Sequence, residues 1–184
     1  MRWYCVLGAV CFGVDPILRR AVSTYAVAVT RPFVRGRDPQ RKLLRRDRAD
    51  WCLDALDVLV HAGQQVCLGE TVVRRYSPAA VVSSSRRARS PSPVGASSST
   101  AVFDVYRSVN PEVRYTSDTG VSRCGSLALE LDQRQDVERS GATWPTSKSI
   151  VELSVCFGSE AMRLCAVDTT TGRCARTTVE FACQ

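Results

Sequence analysis

Three features of the sequence predict an α+β fold: a long amphipathic segment, a low-complexity stretch and a final region of alternating polarity. The amphipathic segment, residues 39–62, has the 3.6-residue periodicity of a helix. The alternating region has the two-residue periodicity of an antiparallel sheet. We therefore expect a basic N-terminal region (1–82) with one principal amphipathic helix, a disordered linker (83–100) and a β-rich C-terminal domain (101–184) that contains a β-meander.

The helix prediction depends on its boundaries and on one polar stripe. Asp38 followed by Pro39 is a favourable helix start, since the carboxylate can cap and proline lacks an N–H that would otherwise be unpaired. Gly63 is a plausible stop. Successive spacings of 3, 4, 3 and 4 place five polar residues on one helical face: Asp47, Asp50, Asp54, Asp57 and His61. Apolar residues cover the opposite face, which indicates a half-buried helix.

Shorter segments predict strands, and one stretch predicts disorder. The linker is rich in Ser, Arg and Pro and contains no large apolar residue beyond Val94, so it cannot bury enough surface to offset its ordering entropy. Valine-rich and alternating segments predict four strands: 21–30, 71–76, 79–83 and 101–109.

The last 35 residues have the clearest strand pattern in the chain. In residues 151–157 three valine or leucine side chains and one phenylalanine alternate with polar residues. Turns at Gly158-Ser159-Glu160 and Thr171-Gly172 separate this segment from two more alternating ones. The pattern predicts an antiparallel three-strand meander with one buried face.

Charge is unevenly distributed and points to a polyanionic partner. Residues 1–100 contain 16 Lys and Arg against 7 Asp and Glu, whereas residues 101–184 contain 9 against 11. A basic arm can grip phosphates through guanidinium groups. We expect a small non-enzymatic accessory protein, nuclear or cytoplasmic, that binds RNA or DNA phosphates with low sequence specificity. The candidate nucleic-acid-binding residues are Arg31, Arg35, Arg37, Arg41, Lys42, Arg45, Arg46 and Arg48.

Motifs for catalysis and cofactor binding are missing from the sequence. His61 is the only histidine, which excludes a His-Glu-x-x-His zinc site. Neither lysine follows a glycine, and there is no Gly-x-Gly-x-x-Gly. We therefore predict no enzyme, no metal and no cofactor. No apolar run reaches the length of a membrane helix.

Nine cysteines support an alternative function, a secreted cysteine-rich interaction protein. Residues 1–14 resemble the apolar part of a secretory signal, although a buried first strand or helix is the favoured interpretation. Neighbouring strands of the meander would allow a disulfide between two of Cys156, Cys165 and Cys174, and free thiols at these positions are the slightly favoured alternative. In this alternative a protein partner replaces nucleic acid.

The linker also carries sites for modification. Arg86-Arg87-Ala88-Arg89 resembles a dibasic processing site, so the secreted form would be cut near Arg89. Ser90 and Ser92 each precede proline and are candidate phosphorylation sites. A third alternative is an orphan or overlapping reading frame without a settled activity, which would also explain the arginine excess through GC-rich coding.

Overall fold

Two antiparallel β-sheets and a short β-ribbon make up nearly all of the chain that the structure describes. The structure is a computed structural model, and it describes residues 18–46, 49–81, 98–132 and 150–181. The first sheet has the strand order β3-β4-β2-β7-β8, the second has the order β11-β10-β9-β6, and β1 pairs with β5. All pairings between these strands are antiparallel.

The strands have the following bounds. They are β1 (Leu18–Arg20), β2 (Thr24–Pro32), β3 (Leu43–Arg46), β4 (Ala49–Val60), β5 (Gln65–Cys67), β6 (Thr71–Tyr76), β7 (Ser98–Ser108), β8 (Ser122–Asp132), β9 (Val151–Phe157), β10 (Ala161–Asp168) and β11 (Cys174–Glu180). Two single turns of helix accompany them in the described residues: a 3-10 turn at Gln40–Lys42 and an α-helical turn, α1, at Pro78–Val81.

The predicted α+β fold with a principal helix at 39–62 is wrong, because most of that segment is the long strand β4. The physical reason is a pair of β-bulges in β4. Its pairing with β2 gains an extra residue between Cys52 and Ala55, and another beside Leu59. A bulge breaks strict alternation. The buried positions of β4 therefore fall at Cys52, Ala55, Leu59 and Val60, and the spacings of three and four between the first three imitate a helix.

Four of the other sequence patterns correspond to the structure, and among them the strands predicted at 21–30 and 101–109 overlap β2 and β7. The meander formed by β9, β10 and β11 is present, with each strand antiparallel to the next. The strand predicted at 71–76 is β6. By contrast, the strand predicted at 79–83 is wrong, because its described residues belong to α1. Most of the predicted linker lies outside the described residues, and its end, Ser98–Thr100, begins β7.

One hydrophobic core joins the two sheets. Phe103 on β7, Leu153 on β9, and Met162 and Leu164 on β10 have almost no exposed surface. Residues from both predicted regions contribute to this core, and both sheets combine strands from the two. In the second sheet, for example, Tyr76 at the end of β6 pairs with Val151 at the beginning of β9. The described parts of the two predicted regions therefore share one hydrophobic core and two sheets.

Candidate functional site

An open cleft of about 460 Å³ lies where the β1–β5 ribbon meets the ends of both sheets. Its lining comes from the ribbon, from β2, from the loops at the ends of β7 and β9, and from the end of β11. Apolar side chains from several of these elements contribute to the lining: Tyr25, Val60, Val66, Phe157 and Phe181. The rings of Tyr25 and Phe181 pack against each other with their centroids 5.5 Å apart.

Large apolar side chains are also exposed around this cleft. Val22 is 67% exposed, Val109 is 68% exposed and Leu68 is 41% exposed, and all three line it. Leu18, on the same ribbon, is 56% exposed. Ligand sites are commonly concave and mostly apolar. A cleft with apolar walls and an apolar rim can accommodate the apolar side chains of another molecule.

Local backbone geometry fixes the ribbon beside the cleft. After β4 the chain turns at Gly63, whose φ of 81° is in the left-handed region that glycine adopts without strain. The N–H of Gly63 donates to the carbonyl of Ala21 over 2.7 Å, and the N–H of Ala21 donates to the carbonyl of Gln64 over 2.9 Å. The hydroxyl of buried Thr24 accepts from the N–H of Ala62. These bonds attach β1 to the turn before β5.

Three arginines line the cleft, and none of its described lining residues is acidic. Arg19 donates to the carbonyl of Ser159 over 2.7 Å, in the turn between β9 and β10. Arg20 donates to the carbonyl of Gly63 over 3.3 Å. Arg107 donates to the hydroxyl of Ser122 over 3.4 Å. Since all of these acceptors are neutral, the cleft combines apolar walls with positive charge that no carboxylate among the described residues balances.

The pKa of Tyr25 reflects the partly buried, apolar environment of the cleft. Burial raises the pKa of its phenol above the ordinary value, the nearby Cys124 raises it further, and Arg107 lowers it. The hydroxyl therefore stays protonated at neutral pH. Tyr25 contributes an aromatic surface and a neutral hydrogen-bonding group to the cleft.

Three of the arginines predicted to bind phosphates belong to ion pairs within the fold. Arg31 pairs with Asp38 over 2.6 Å, and the exposed Arg35 pairs with Asp50 over 3.2 Å. Asp50 also pairs with Arg45 over 3.6 Å.

The remaining members of this predicted set have different environments. Lys42 is buried and pairs with Asp54 over 3.1 Å. Arg37 and Arg41 are exposed. Arg46 ends β3, and Arg48 lies outside the described residues. The prediction combined a loop with the start of a helix, and that helix does not form; the described members lie instead on β2, the loop after it, the 3-10 turn and β3.

Asp38 is the centre of a buried polar network in this region. Its carboxylate accepts two hydrogen bonds from Arg31, at 2.6 and 2.8 Å, one from the hydroxyl of Tyr115 at 2.7 Å and one from the N–H of Val34 at 2.8 Å. The hydrogen bonds from Arg31 hold the pKa of Asp38 far below its usual range, although burial opposes this effect. The network satisfies the carboxylate and fixes the loop between β2 and β3, which is a structural role.

The other predicted sites are placed as follows. Cys156, Cys165 and Cys174 are free thiols on the outer face of the second sheet, so the predicted disulfide is absent from the structure. The physical reason is register: Cys165 lies opposite Ser154 and Arg176 and not opposite either cysteine. Ser90 and Ser92 lie outside the described residues.

The described residues also show where His61 lies and whether they include a metal site or a membrane-spanning helix. The Nδ1 of His61 donates to the carbonyl of Pro111 over 2.9 Å. Within the described ranges there is no cluster of three metal-ligating side chains, and no helix is long and apolar enough to cross a membrane.

Sequence reasoning missed the cleft altogether. Its lining is drawn from seven separated segments of the chain, so no local motif marks it. The strongest available signal was the Arg19-Arg20 pair beside apolar residues such as Val22.

Comparison with known proteins finds heat shock proteins. The chain is 33% identical over 177 residues to heat shock 70 kDa protein 12A of Mus musculus and 34% identical to that of Homo sapiens. It is 35% identical to heat shock 70 kDa protein 12B of Homo sapiens. These alignments cover 95% of the chain but only 23–24% of each relative, so the chain spans about a quarter of the length of the curated relatives it matches. No protein-family model matches the chain.

This similarity contradicts the prediction of a small accessory protein that binds nucleic-acid phosphates, which was wrong. It also contradicts the alternative of an orphan reading frame, because the match extends over 95% of the chain. The alternative of a secreted, disulfide-linked protein finds no support in the described cysteines, which are free.

Proposed function

We propose that the chain is a polypeptide-binding domain of a molecule that resembles heat shock 70 kDa protein 12. In this proposal the cleft holds apolar side chains from an unfolded or extended segment of another protein. The observation that carries it is the cleft itself, whose apolar lining extends to the exposed Val22, Leu68 and Val109.

The apolar lining of the cleft suits the role that the words "heat shock" in the names of the relatives suggest. Heat unfolds proteins, and unfolded chains expose apolar side chains that were buried in the native state. Burying one leucine or phenylalanine side chain contributes roughly 1.5–3 kcal/mol. A cleft that takes one or two such side chains would therefore bind weakly and reversibly, as a protein that handles many different unfolded chains requires.

The proposal involves no chemical reaction in this part of the chain. Apolar contacts and a few hydrogen bonds to the bound segment are sufficient, and no nucleophile or proton transfer is needed. We further propose a nuclear or cytoplasmic location, where cysteines remain reduced. The six described cysteines, which are all free, are consistent with it.

A peptide titration tests the proposal. The purified chain is titrated into a fluorescein-labelled decapeptide with a central run of three leucines, and anisotropy is measured. We expect saturable binding, and no saturable binding to the same peptide with serines in place of the leucines. Saturation that is equal for both peptides would refute binding of apolar side chains.

Substitutions at the rim locate the binding site. In Val22→Asp and Val109→Asp a charge replaces an exposed apolar side chain, and we expect binding of the leucine peptide to weaken about tenfold. Val73→Asp is the matched control, since Val73 is 44% exposed on β6 and does not line the cleft. Equal weakening in all three variants, or no weakening in any, would show that the cleft is not the binding site.

A further inference from the structure

We infer that the cleft selects apolar segments that are flanked by acidic residues. The inference rests on the proposed function and names the class of polypeptide that the cleft binds. It follows from the position and the hydrogen bonding of Arg19, Arg20 and Arg107.

Each of these guanidinium groups has donors to spare. A guanidinium carries five N–H donors. Among the residues that the structure describes, Arg19, Arg20 and Arg107 each donate one side-chain hydrogen bond, to Ser159, Gly63 and Ser122. Only the bond from Arg19 is short, so most donors of the three groups remain available to a ligand.

The charges of these arginines are also uncompensated in the part of the chain that the structure describes. Other arginines of the fold pair with carboxylates, including Arg75 with Glu152 at 2.9 Å and Arg123 with Asp104 at 2.7 Å. In the described ranges Arg19, Arg20 and Arg107 have no such partner, and no Asp or Glu lines the cleft. Three like charges around an apolar cleft disfavour a cationic ligand and favour an anionic one.

The combination of apolar walls and arginines specifies the ligand more closely than either feature alone. An apolar side chain fits between Tyr25, Val60 and Phe157, while carboxylates close to it in sequence can reach the arginines. Arginine binds carboxylates through two parallel N–H donors, which adds geometric preference to attraction. A segment such as Glu-Leu-Leu-Glu satisfies both requirements, whereas a lysine-flanked segment places like charges together.

Three peptides with one leucine centre and different flanks test this inference. The flanks are glutamate, serine or lysine, and the anisotropy titration is done at two salt concentrations. A solvent-exposed ion pair contributes a few tenths to about 1 kcal/mol, so two or three of them favour the glutamate peptide over the serine peptide by about tenfold. We expect the lysine peptide to bind most weakly and the difference between flanks to narrow at high salt.

Charge-removing variants assign the preference to the cleft. Arg107→Gln is the main variant, because its hydrogen bond in the fold is long, and Arg19→Gln is the second. Both are expected to weaken binding of the glutamate peptide about threefold more than binding of the serine peptide. Arg163→Gln is the matched control: it removes the same charge from an exposed arginine on the outer face of the second sheet.

The outcomes separate this inference from the proposed function. Binding of no leucine peptide refutes the proposed function, and the inference with it. Equal binding of all three peptides refutes the inference alone, as does a glutamate preference that Arg163→Gln reduces as much as Arg107→Gln. Full competition by polyaspartate without leucines would also refute it, since attraction to any polyanion would then suffice. A glutamate preference that only the cleft variants reduce supports it.

Discussion

Replacing Asp38 by asparagine tests how strongly the buried network stabilises the first sheet. Asparagine has the same shape but no charge, and its amide nitrogen would face donors that now meet an oxygen. The carboxylate now accepts from Arg31 twice, from Tyr115 and from the N–H of Val34. Asp38→Asn retains one acceptor oxygen for these four donors.

The expected loss follows from burial. The side chain of Asp38 is fully buried, whereas that of Arg31 is 30% exposed. Removing one partner of a buried ion pair typically costs about 3–5 kcal/mol, because the other charge is left uncompensated. Since Arg31 can be partly rehydrated and the asparagine oxygen still accepts hydrogen bonds, we expect the free energy of unfolding to fall by about 2–4 kcal/mol.

The dependence on pH provides an independent check. The pKa of Asp38 is lower in the folded chain than in the unfolded chain, where it is about 3.9. Its contribution to stability is therefore complete above that pH and is lost as the pH falls toward the folded pKa. The stability difference between the parent and Asp38→Asn should shrink below about pH 4, by at most about 1.4 kcal/mol per pH unit.

Urea unfolding followed by tryptophan fluorescence measures both effects. Asp50→Asn is the control, since Asp50 pairs with the largely exposed Arg35 and Arg45 and should contribute less than about 1 kcal/mol. A loss in Asp38→Asn no larger than that of the control would refute the reasoning. So would a stability difference that does not change on acidification.

Two further substitutions test the packing between the sheets. In Gly125→Ala the new Cβ on β8 would lie 2.4 Å from a methyl group of Val179 on β11, so we expect a loss of about 1–3 kcal/mol by thermal unfolding. Adding Val179→Ala should recover part of it, and full tolerance of Gly125→Ala would contradict this packing. In Tyr76→Phe the hydroxyl that donates to Asp57 over 2.7 Å is removed, and we expect a loss of about 1–2 kcal/mol in urea unfolding. An unchanged midpoint would show that this buried hydrogen bond adds nothing to stability.

The sequence predicted the meander because nothing interrupts its alternation. Val151, Leu153, Val155 and Phe157 all face the core, so the two-residue period is visible in the sequence itself. Strand β6, at 71–76, was predicted from its valines in the same way.

The error at β4 has an equally specific cause. Each bulge adds one residue to β4 relative to its partner strand, and a conformation with φ of 55° at Asp54 accompanies the first. The second lies beside Leu59. Composition does not mark such positions, because the bulges are defined by pairing with a distant strand. A pattern of spacings alone therefore favoured a helix where a bulged strand forms.

The cleft could not be predicted from the sequence either, because its lining residues also depend on pairing between distant strands. Arg19 and Arg107 are far apart in the sequence, and only the pairing of β1 with β5 and of β2 with β7 brings them to one site. The unusual arginine content was visible in the sequence. Which arginines would lack acidic partners in the described structure depended on tertiary contacts.

The interleaved strand order has a consequence for how the chain acquires its structure during synthesis. Tyr76 pairs with Val151, and Thr24 pairs with Ser108, so neither sheet can be completed until much later residues have emerged from the ribosome. Such distant pairings slow folding. A chain interrupted between β6 and β7 would yield two fragments that each lack strands of both sheets, and the fragments should become ordered only when mixed.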